Sequence, residues 1–215
     1  MADDRQWNDE YWPLVAQLLF KKKEGVKPVF CRDAVDIAME LHVHPKVINH
    51  RMRELQEHAT PSLEKMYDSY KNNPSRLKRM VKTLRDMNGF GNAAAFYEGV
   101  EVKETFEVMF RPIQGAEDLT PVMLVLILDL YFRLTPITMA EDTPEVKLLA
   151  KQMGVDTSRV VEVLEVFQTC DPYLKRDNVI LSPLYMSCQE IWRKYANIDT
   201  LELVWIADEF KAYFE

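Results

Sequence analysis

The segment LAKQMGVDTSRVVEVLEVF, residues 149–167, carries the strongest indication of how this chain folds. Apolar residues recur at three- and four-residue spacing on both sides of Gly154, which predicts two amphipathic helices joined by a tight turn. Pro144 suits the first turn of the first helix, and Asp156 or Thr157 can cap the second. The segment predicts either a helix-turn-helix, whose second helix enters the DNA major groove, or two packed helices with the same spacing.

An earlier segment repeats this pattern. IAMELHVHPKVINHRMREL, residues 37–55, lies 112 residues upstream and aligns without a gap, so that Ala38 falls on Ala150. At the same offset, LVAQLLF (14–20) falls on LILDLYF (126–132). Because chance rarely preserves spacing over two separate segments, the sequence predicts an internal duplication.

The turn of the first copy departs from that of the second. His42 stands at the position of Gly154, and a left-handed histidine is tolerated but less common than a glycine. Arg51 stands where the second copy has the apolar Val163. We therefore expect the first copy to be more loosely packed, or Arg51 to lie at its edge.

Downstream of the two motifs the copies diverge in length. KMYDSYKNNPS (65–75) resembles EIWRKYANIDT (190–200) at an offset of 125, so the second copy carries about 13 extra residues. The extra piece includes NVILSPL (178–184), whose composition is typical of a strand. In the connector, NGFGN (88–92) predicts a turn, and the alternation in TFEVMF (105–110) indicates a strand.

The predicted architecture is mainly α with minor β. It comprises two tandem helix-turn-helix domains, residues 1–87 and 121–215, with a winged-helix-like form as one alternative. The connector spans 88–120, and within it 93–103 fits either a helix or a strand.

Composition and charge limit the class of protein. The chain has 215 residues, of which 47% are hydrophobic and 28% charged, as in ordinary soluble domains. Residues 1–99 hold 16 Lys and Arg against 14 Asp and Glu, a formal charge of +2, whereas 100–215 hold 11 against 20, or −9. A chain with a net charge of −7 is a poor non-specific DNA binder as a whole, so any DNA contact is expected in the first half.

Cysteine usage and hydropathy predict a cytoplasmic protein without a membrane partner. The three cysteines are scattered and form no CxxC pair, which fits a reducing compartment. The N-terminus MADDRQWNDEYW lacks the apolar core of a signal peptide. PVMLVLILDL (121–130) is too short to span a bilayer, so we expect a buried helix there.

One stretch, LVLILDLYFRL…PEVKLLAKQMGVDTSRVVEVLEVFQTCDP (124–172), resembles a known module. It is similar to the N-terminal domain that precedes the nuclease domain in bacterial HNH restriction-type endonucleases, where a LILALDLYLRLPF helix is followed by NPEI, LA, LGRTP and LDP motifs. EIWRKYANI (190–198) likewise resembles that module's EVWDEF helix. The matching residues are Leu128–Leu134, Pro144, Glu145, Leu149, Ala150, Gly154, Ser158, Val160, Leu164, Phe167, Asp171 and Pro172.

The resemblance covers most of 121–210 and reaches the first half only through the repeat. No HNH motif follows in the sequence. The resemblance therefore implies a DNA-associated module, a regulator or an accessory to a restriction or mobile element, without its catalytic partner.

Candidate DNA contacts lie on the second helix of the first copy. Its outward residues near the N-terminal end are Lys46, Asn49, His50 and Arg53. Asparagine pairs well with adenine and arginine with guanine, which makes this set suitable for contacting bases.

A basic segment follows in SRLKRMVKTLR, residues 75–85. On a helix Arg76, Arg79 and Lys82 share a face and would lie along phosphates of double-stranded DNA. A solvated surface helix is the alternative interpretation.

The second copy is expected to bind a protein rather than DNA. Its outward positions include Glu162 and Glu165 beside Ser158 and Arg159, and carboxylates repel phosphate. The last helix, TLELVWIADEFKAYF, has large apolar residues that form either core or a homodimer face. They are Leu201, Val204, Trp205 and Phe210.

Catalytic and metal chemistry has little support in the sequence. HVHPKVINHR (42–51) has three histidines, but no acidic or cysteine cluster completes a metal shell, so we expect no metal and no cofactor. The phosphate-loop, dinucleotide, nucleophile-elbow and HExxH motifs are absent. We expect a non-enzymatic DNA-associated protein; the main alternative is a protein-protein interaction module with the same fold, and an enzyme with a polar pocket between its domains is a third.

Overall fold

The computed structural model describes residues 7–21, 24–87, 90, 106–174 and 182–215, and these are mainly helical. Short 3-10 helices span Asp9–Tyr11 and Pro136–Thr138. The α-helices of the described part are α1 Trp12–Leu19, α2 Arg32–Leu41, α3 Pro45–Gln56, α4 Pro61–Lys71, α5 Pro74–Arg85, α6 Glu107–Phe110, α7 Pro121–Arg133, α8 Pro144–Met153, α9 Thr157–Cys170, α10 Leu184–Tyr195 and α11 Thr200–Lys211. The prediction of a mainly α chain is confirmed.

The expectation of minor β structure fails wherever the residues are described. Within 106–110 the chain forms the helical turn α6, supported by an ion pair between Arg111 Nη2 and Glu107 Oε2 of 2.5 Å, so the strand predicted there is wrong. At the end of 178–184, Leu184 begins α10. Within the described ranges, β pairing is limited to one isolated bridge. Three other predicted segments lie outside those ranges: NGFGN apart from Phe90, residues 93–103, and NVIL.

The chain divides into two compact units. Unit 1 is Met1–Lys103 and unit 2 is Glu104–Glu215, so the division falls inside the predicted connector 88–120. The described part of the connector after the division belongs to unit 2, because α6 packs against α7.

Within unit 1, α1 packs against α2, α3 and α5, and α4 packs against α3 and α5. Leu14 and Leu19 of α1 and Ile48, Met52 and Leu55 of α3 are among its largest fully buried side chains. Burial of this apolar area is the main source of stability for a helical unit, since isolated helices of this length are marginal in water.

Unit 2 is built around α7. This helix packs against α6, α8, α9, α10 and α11, and the run from Leu124 to Tyr131 is buried throughout. The buried helix predicted for 121–130 is therefore confirmed. The described helices include none that is long and apolar enough to cross a membrane.

The helices correspond in order between the two units. In unit 1 the first helix packs against the second, the third and the last, and the third packs against the second and the fourth. The helices α7, α8, α9, α10 and α11 show these same combinations in unit 2. The recurring spacing in the sequence thus accompanies a recurring choice of packing partners.

The turns between α2 and α3 and between α8 and α9 share one backbone geometry. His42 has φ of 54° and Gly154 has φ of 74°, both left-handed. In each turn the next amide closes the same bond: Val43 N–H donates to Ala38 O, and Val155 N–H donates to Ala150 O, both at 3.0 Å. This is the pattern that satisfies the last carbonyls of a helix and turns the chain away.

Replacing Gly154 with alanine should lower the free energy of unfolding of unit 2 by about 1–2 kcal/mol, because an L-residue is strained in the left-handed region. A Cβ atom at this position meets nothing within 4 Å, so the cost comes from the backbone alone. Urea unfolding followed by circular dichroism measures it. Gly154→Asn is the matched control and should lose less, and equal stability of all three proteins would contradict the prediction.

Candidate nucleic-acid interface

Helix α3 presents a basic stripe to solvent. Pro45 occupies its first turn, and the apolar positions Val47, Ile48, Met52 and Leu55 face the core. The spacing of four and then three residues puts three exposed side chains on the opposite face. These are Lys46, His50 and Arg53.

Asn49 is the exception among the predicted contacts of α3. Its side chain is only 7% exposed, and its Nδ2 donates to the carbonyl oxygen of Lys27 at 2.7 Å. Its Oδ1 accepts a bond from Arg53 Nε at 3.2 Å. The expectation that Asn49 points outward to a base is wrong, because the segment before α2 covers this edge of the helix and uses the amide as a brace.

The carboxylate of Glu54 lies beside the stripe. It accepts from Arg51 Nη1 at 2.7 Å and lies 3.6 Å from His50 Nε2. The Arg51 guanidinium also lies over the Trp7 ring, 5.1 Å from its centroid. The Arg51 side chain is itself mostly buried, with its guanidinium between Glu54 and Trp7. Arg51 thereby compensates the charge of Glu54, and Lys46 and Arg53 dominate the charge of the face.

His44 caps α3, and its environment predicts a pH dependence. The ring Nδ1 accepts the Lys46 backbone N–H at 3.1 Å, which requires a neutral nitrogen. Burial, helped by the Lys46 charge, lowers the pKa of His44 below its ordinary 6.5.

The unfolded chain consequently binds more protons than the folded chain as pH falls through about 6.5, so the stability of unit 1 should drop on acidification. His44→Ser keeps a capping oxygen and removes the titration, and its stability should depend less on pH between about 7.5 and about 5. Urea midpoints across this range test the effect. If the variant and the wild type lose stability in parallel, His44 is not its source.

Helix α5 carries the densest positive charge of the described chain. Leu77, Val81 and Leu84 form its buried face. Residues 74–85 contain no acidic residue. The basic side chains on the exposed face are Arg76, Lys78, Arg79, Lys82 and Arg85.

These cations differ in how they are paired. Arg85 forms a two-pronged ion pair with Glu40 of α2, at 2.6 and 2.8 Å, which ties α5 to the rest of unit 1. Arg76 Nη1 donates to Ser69 Oγ at 3.4 Å. By contrast, Lys78, Arg79 and Lys82 form no ion pair with any residue that the structure describes. The arrangement leaves them available to an external anion.

Helix α9, the counterpart of α3 in unit 2, has no basic face. Arg159 pairs in two-pronged fashion with Asp118, at 2.7 and 2.9 Å, and also contacts Glu162. These carboxylates raise the pKa of Arg159 and occupy its donors. Ser158 and Glu165 are exposed. The outward surface of α9 is therefore acidic or neutral.

For the large apolar residues of the last helix the sequence leaves two interpretations, core or homodimer face, and the core interpretation holds for only some of them. Phe210 is buried and contacts Phe110, with ring centroids 6.2 Å apart, and Val204 is half-buried. Leu201 and Trp205, however, are 79% and 58% exposed. The core interpretation thus fails for these two residues, because the helix turns their side of α11 away from α7.

The described residues form neither a metal-binding group nor an activated thiol. No group of three or more His, Cys, Asp or Glu side chains is placed to hold a metal ion in this part of the chain. Burial raises the pKa of the thiols of Cys31, Cys170 and Cys188 above the ordinary range, so they stay protonated at neutral pH.

Compared with known proteins, the chain matches no family model, no curated protein sequence and no solved structure. Its function is therefore inferred from the charged faces of the two units.

Proposed function

We propose that the chain is a non-enzymatic, DNA-associated protein that contacts double-stranded DNA through unit 1. The observation that carries the proposal is the α5 face, where Lys78, Arg79 and Lys82 are exposed and have no ion-pair partner among the described residues. Unpaired cations on one helix face suit a phosphate backbone, because neutralising phosphates releases counterions. The chain as a whole has a net charge of −7, so this concentration of positive side chains on one helix supports an anion-binding role for the α5 face.

In this proposal α2, the turn at His42 and α3 form a helix-turn-helix, and α3 is the recognition helix. Lys46 and Arg53 are exposed and reach outward, and Arg53 suits guanine. His50 is exposed beside them. Asn49 contributes by orienting Arg53 through its Oδ1. Both α3 and α5 pack against α1 and α4, so the two basic faces belong to one compact unit.

Unit 2 takes a supporting role in the proposal. Its formal charge is strongly negative, and Arg159 is already paired with Asp118. We infer a regulator, or an accessory of a restriction or mobile element, in which unit 2 contacts a protein. The resemblance of 124–172 to the module found before HNH nuclease domains is the source of this biological setting.

The test is selection from a pool of random duplex DNA by the full chain, at about 0.05 M and about 0.2 M salt. We expect sequence enrichment that Lys46→Glu/Arg53→Glu abolishes. The matched control, Lys147→Glu/Lys151→Glu, makes the same charge change at exposed positions of α8 in unit 2 and should retain the enrichment. No retention at low salt, or equal loss in the control, would reject the proposal.

The second candidate function is a protein-interaction module that has lost DNA binding. The observation that favours it is the exposed pair Leu201 and Trp205, one helical turn apart on α11. Neighbouring apolar side chains of this size mark contact sites more often than scattered ones do. If the DNA selection fails while Leu201→Ser/Trp205→Ser converts a dimer to a monomer in light scattering, this second function replaces the first.

A further inference from the structure

Unit 1 contains a cavity of about 420 Å³, a volume within the range of sites for small organic molecules. It is lined by the first 3-10 helix and the start of α1, together with α4 and α5. Helical spacing brings apolar side chains to one face of each helix here. They are Trp12 of α1, Met66 and Tyr70 of α4, and Met80, Leu84 and Met87 of α5. Methionine side chains adapt to irregular apolar ligands, and aromatic rings attract cations.

The first 3-10 helix contributes two carboxylates to the lining, those of Asp9 and Glu10. Asp9 Oδ1 accepts the indole N–H of Trp7 and that of Trp12, both at 3.3 Å. These two bonds fix the carboxylate beside the edge of the Trp12 ring and use one of its oxygens. The second oxygen, Oδ2, accepts no hydrogen bond from any residue that the structure describes. It is therefore left as an acceptor for an external donor.

The charges of the lining leave an excess of negative charge. Two carboxylates stand against one guanidinium, that of Arg79, which gives a formal charge of −1. Among the described residues, neither Asp9 nor Glu10 forms an ion pair, and Arg79 forms none with them. Glu10 accepts a single long bond, from Asn8 Nδ2 at 3.5 Å. A monocation in the cavity brings the formal charge to zero, whereas an anion adds to it.

We propose that this cavity binds a protonated apolar amine. Its ammonium group donates to the unused oxygen of Asp9 beside the Trp12 ring, and its apolar body packs against the methionines. The choice of a cation follows from the uncompensated carboxylates. The choice of an amine over a quaternary ammonium follows from the free acceptor oxygen, which needs an N–H donor. The inference does not depend on DNA binding, and its test contains no DNA.

The experiment is calorimetric titration of the full chain at neutral pH with 2-naphthylmethylamine. 2-Naphthalenemethanol and 2-naphthoate serve as neutral and negatively charged probes of similar shape. We expect saturable 1:1 binding of the amine and affinity for the alcohol that is weaker by about tenfold or more, since bonds between charged groups are the stronger ones. The naphthoate should bind more weakly than the alcohol.

Conservative variants test the assigned contacts. Asp9→Asn keeps an acceptor for the two indole N–H groups but removes the charge, so amine affinity should fall by about tenfold while alcohol affinity is kept. The matched control, Asp68→Asn, removes the same charge at an exposed position of α4 that does not line the cavity, and it should bind the amine like the wild type.

Arg79→Gln is expected to change affinity in the opposite direction. It removes the positive charge of the lining, so amine binding should strengthen by about twofold to threefold, a gain that loss of folding cannot produce. Absence of saturation, equal binding of amine and alcohol, or preference for naphthoate would overturn the proposal. So would a loss in Asp9→Asn no greater than that in Asp68→Asn, or weaker amine binding by Arg79→Gln.

Discussion

Replacing Phe167 with alanine is expected to lower the free energy of unfolding of unit 2 by about 3–5 kcal/mol. The Phe167 side chain is fully buried in α9, which packs against α7, α8 and α10. Its ring lies 6.1 Å from that of Trp192 and 6.2 Å from that of Tyr131, centroid to centroid. Truncation removes apolar area and leaves a cavity that rigid neighbouring helices fill only in part.

Phe132→Ala is the matched control within the same aromatic cluster. The Phe132 ring is 5.7 Å from Trp192 but is 44% exposed, so its truncation should cost about 1 kcal/mol. Urea unfolding followed by tryptophan fluorescence compares the two variants, with separate transitions fitted for the two units. Similar losses in both variants would mean that Phe167 is not the centre of the unit 2 core.

Reversing three charges on α5, as Arg76→Glu/Arg79→Glu/Lys82→Glu, should weaken DNA binding by about two to three orders of magnitude at about 0.1 M salt. Each lost phosphate contact also reduces the salt dependence by about 0.9, so the slope of log K against log salt should flatten by about 2 to 3. These side chains lie opposite the buried face of α5, so the fold should persist. Fluorescence anisotropy with a labelled duplex at several salt concentrations measures both effects.

Substitutions on α5 and on α3 should affect DNA binding differently. Removing phosphate contacts on α5 weakens binding to all DNA sequences alike, whereas removing base contacts on α3 changes which sequence is preferred. The control Lys65→Glu/Lys147→Glu/Lys151→Glu makes the same total charge change at exposed positions outside α3 and α5. An equal loss of affinity in this control would show that net charge alone, and not the α5 face, determines the binding.

Helix positions followed from local pattern. The apolar spacing around Gly154 and His42 predicted helices on both sides of each turn, and Pro45 and Pro144 lie in the first turns of α3 and α8. These predictions depend on residues within about one or two helical turns of each other, where periodicity and capping act. The alternation in 105–110 was misleading because four helical residues are too few to show a period of 3.6.

Side-chain roles depended on partners far along the chain. Asn49 looks like an outward residue by its place on α3, but the Lys27 carbonyl, 22 residues earlier, turns it into a buried brace. Leu201 and Trp205 look like core residues by their hydrophobicity, but no described neighbour covers their side of α11. Arg159 looks like an available cation, but Asp118, 41 residues earlier, pairs with it.

The sequence by itself determined the helical class, the two turns and the difference in charge between the halves, because these properties depend on neighbouring residues or on composition. Only the tertiary structure decided which polar groups are paired inside the protein, as at Asn49 and Arg159, and which stay exposed without an ion-pair partner among the described residues, as at Lys78 and Lys82. The physical reason is that burial and pairing of a side chain depend on which distant segment packs against it, and helical periodicity is the same whichever segment that is.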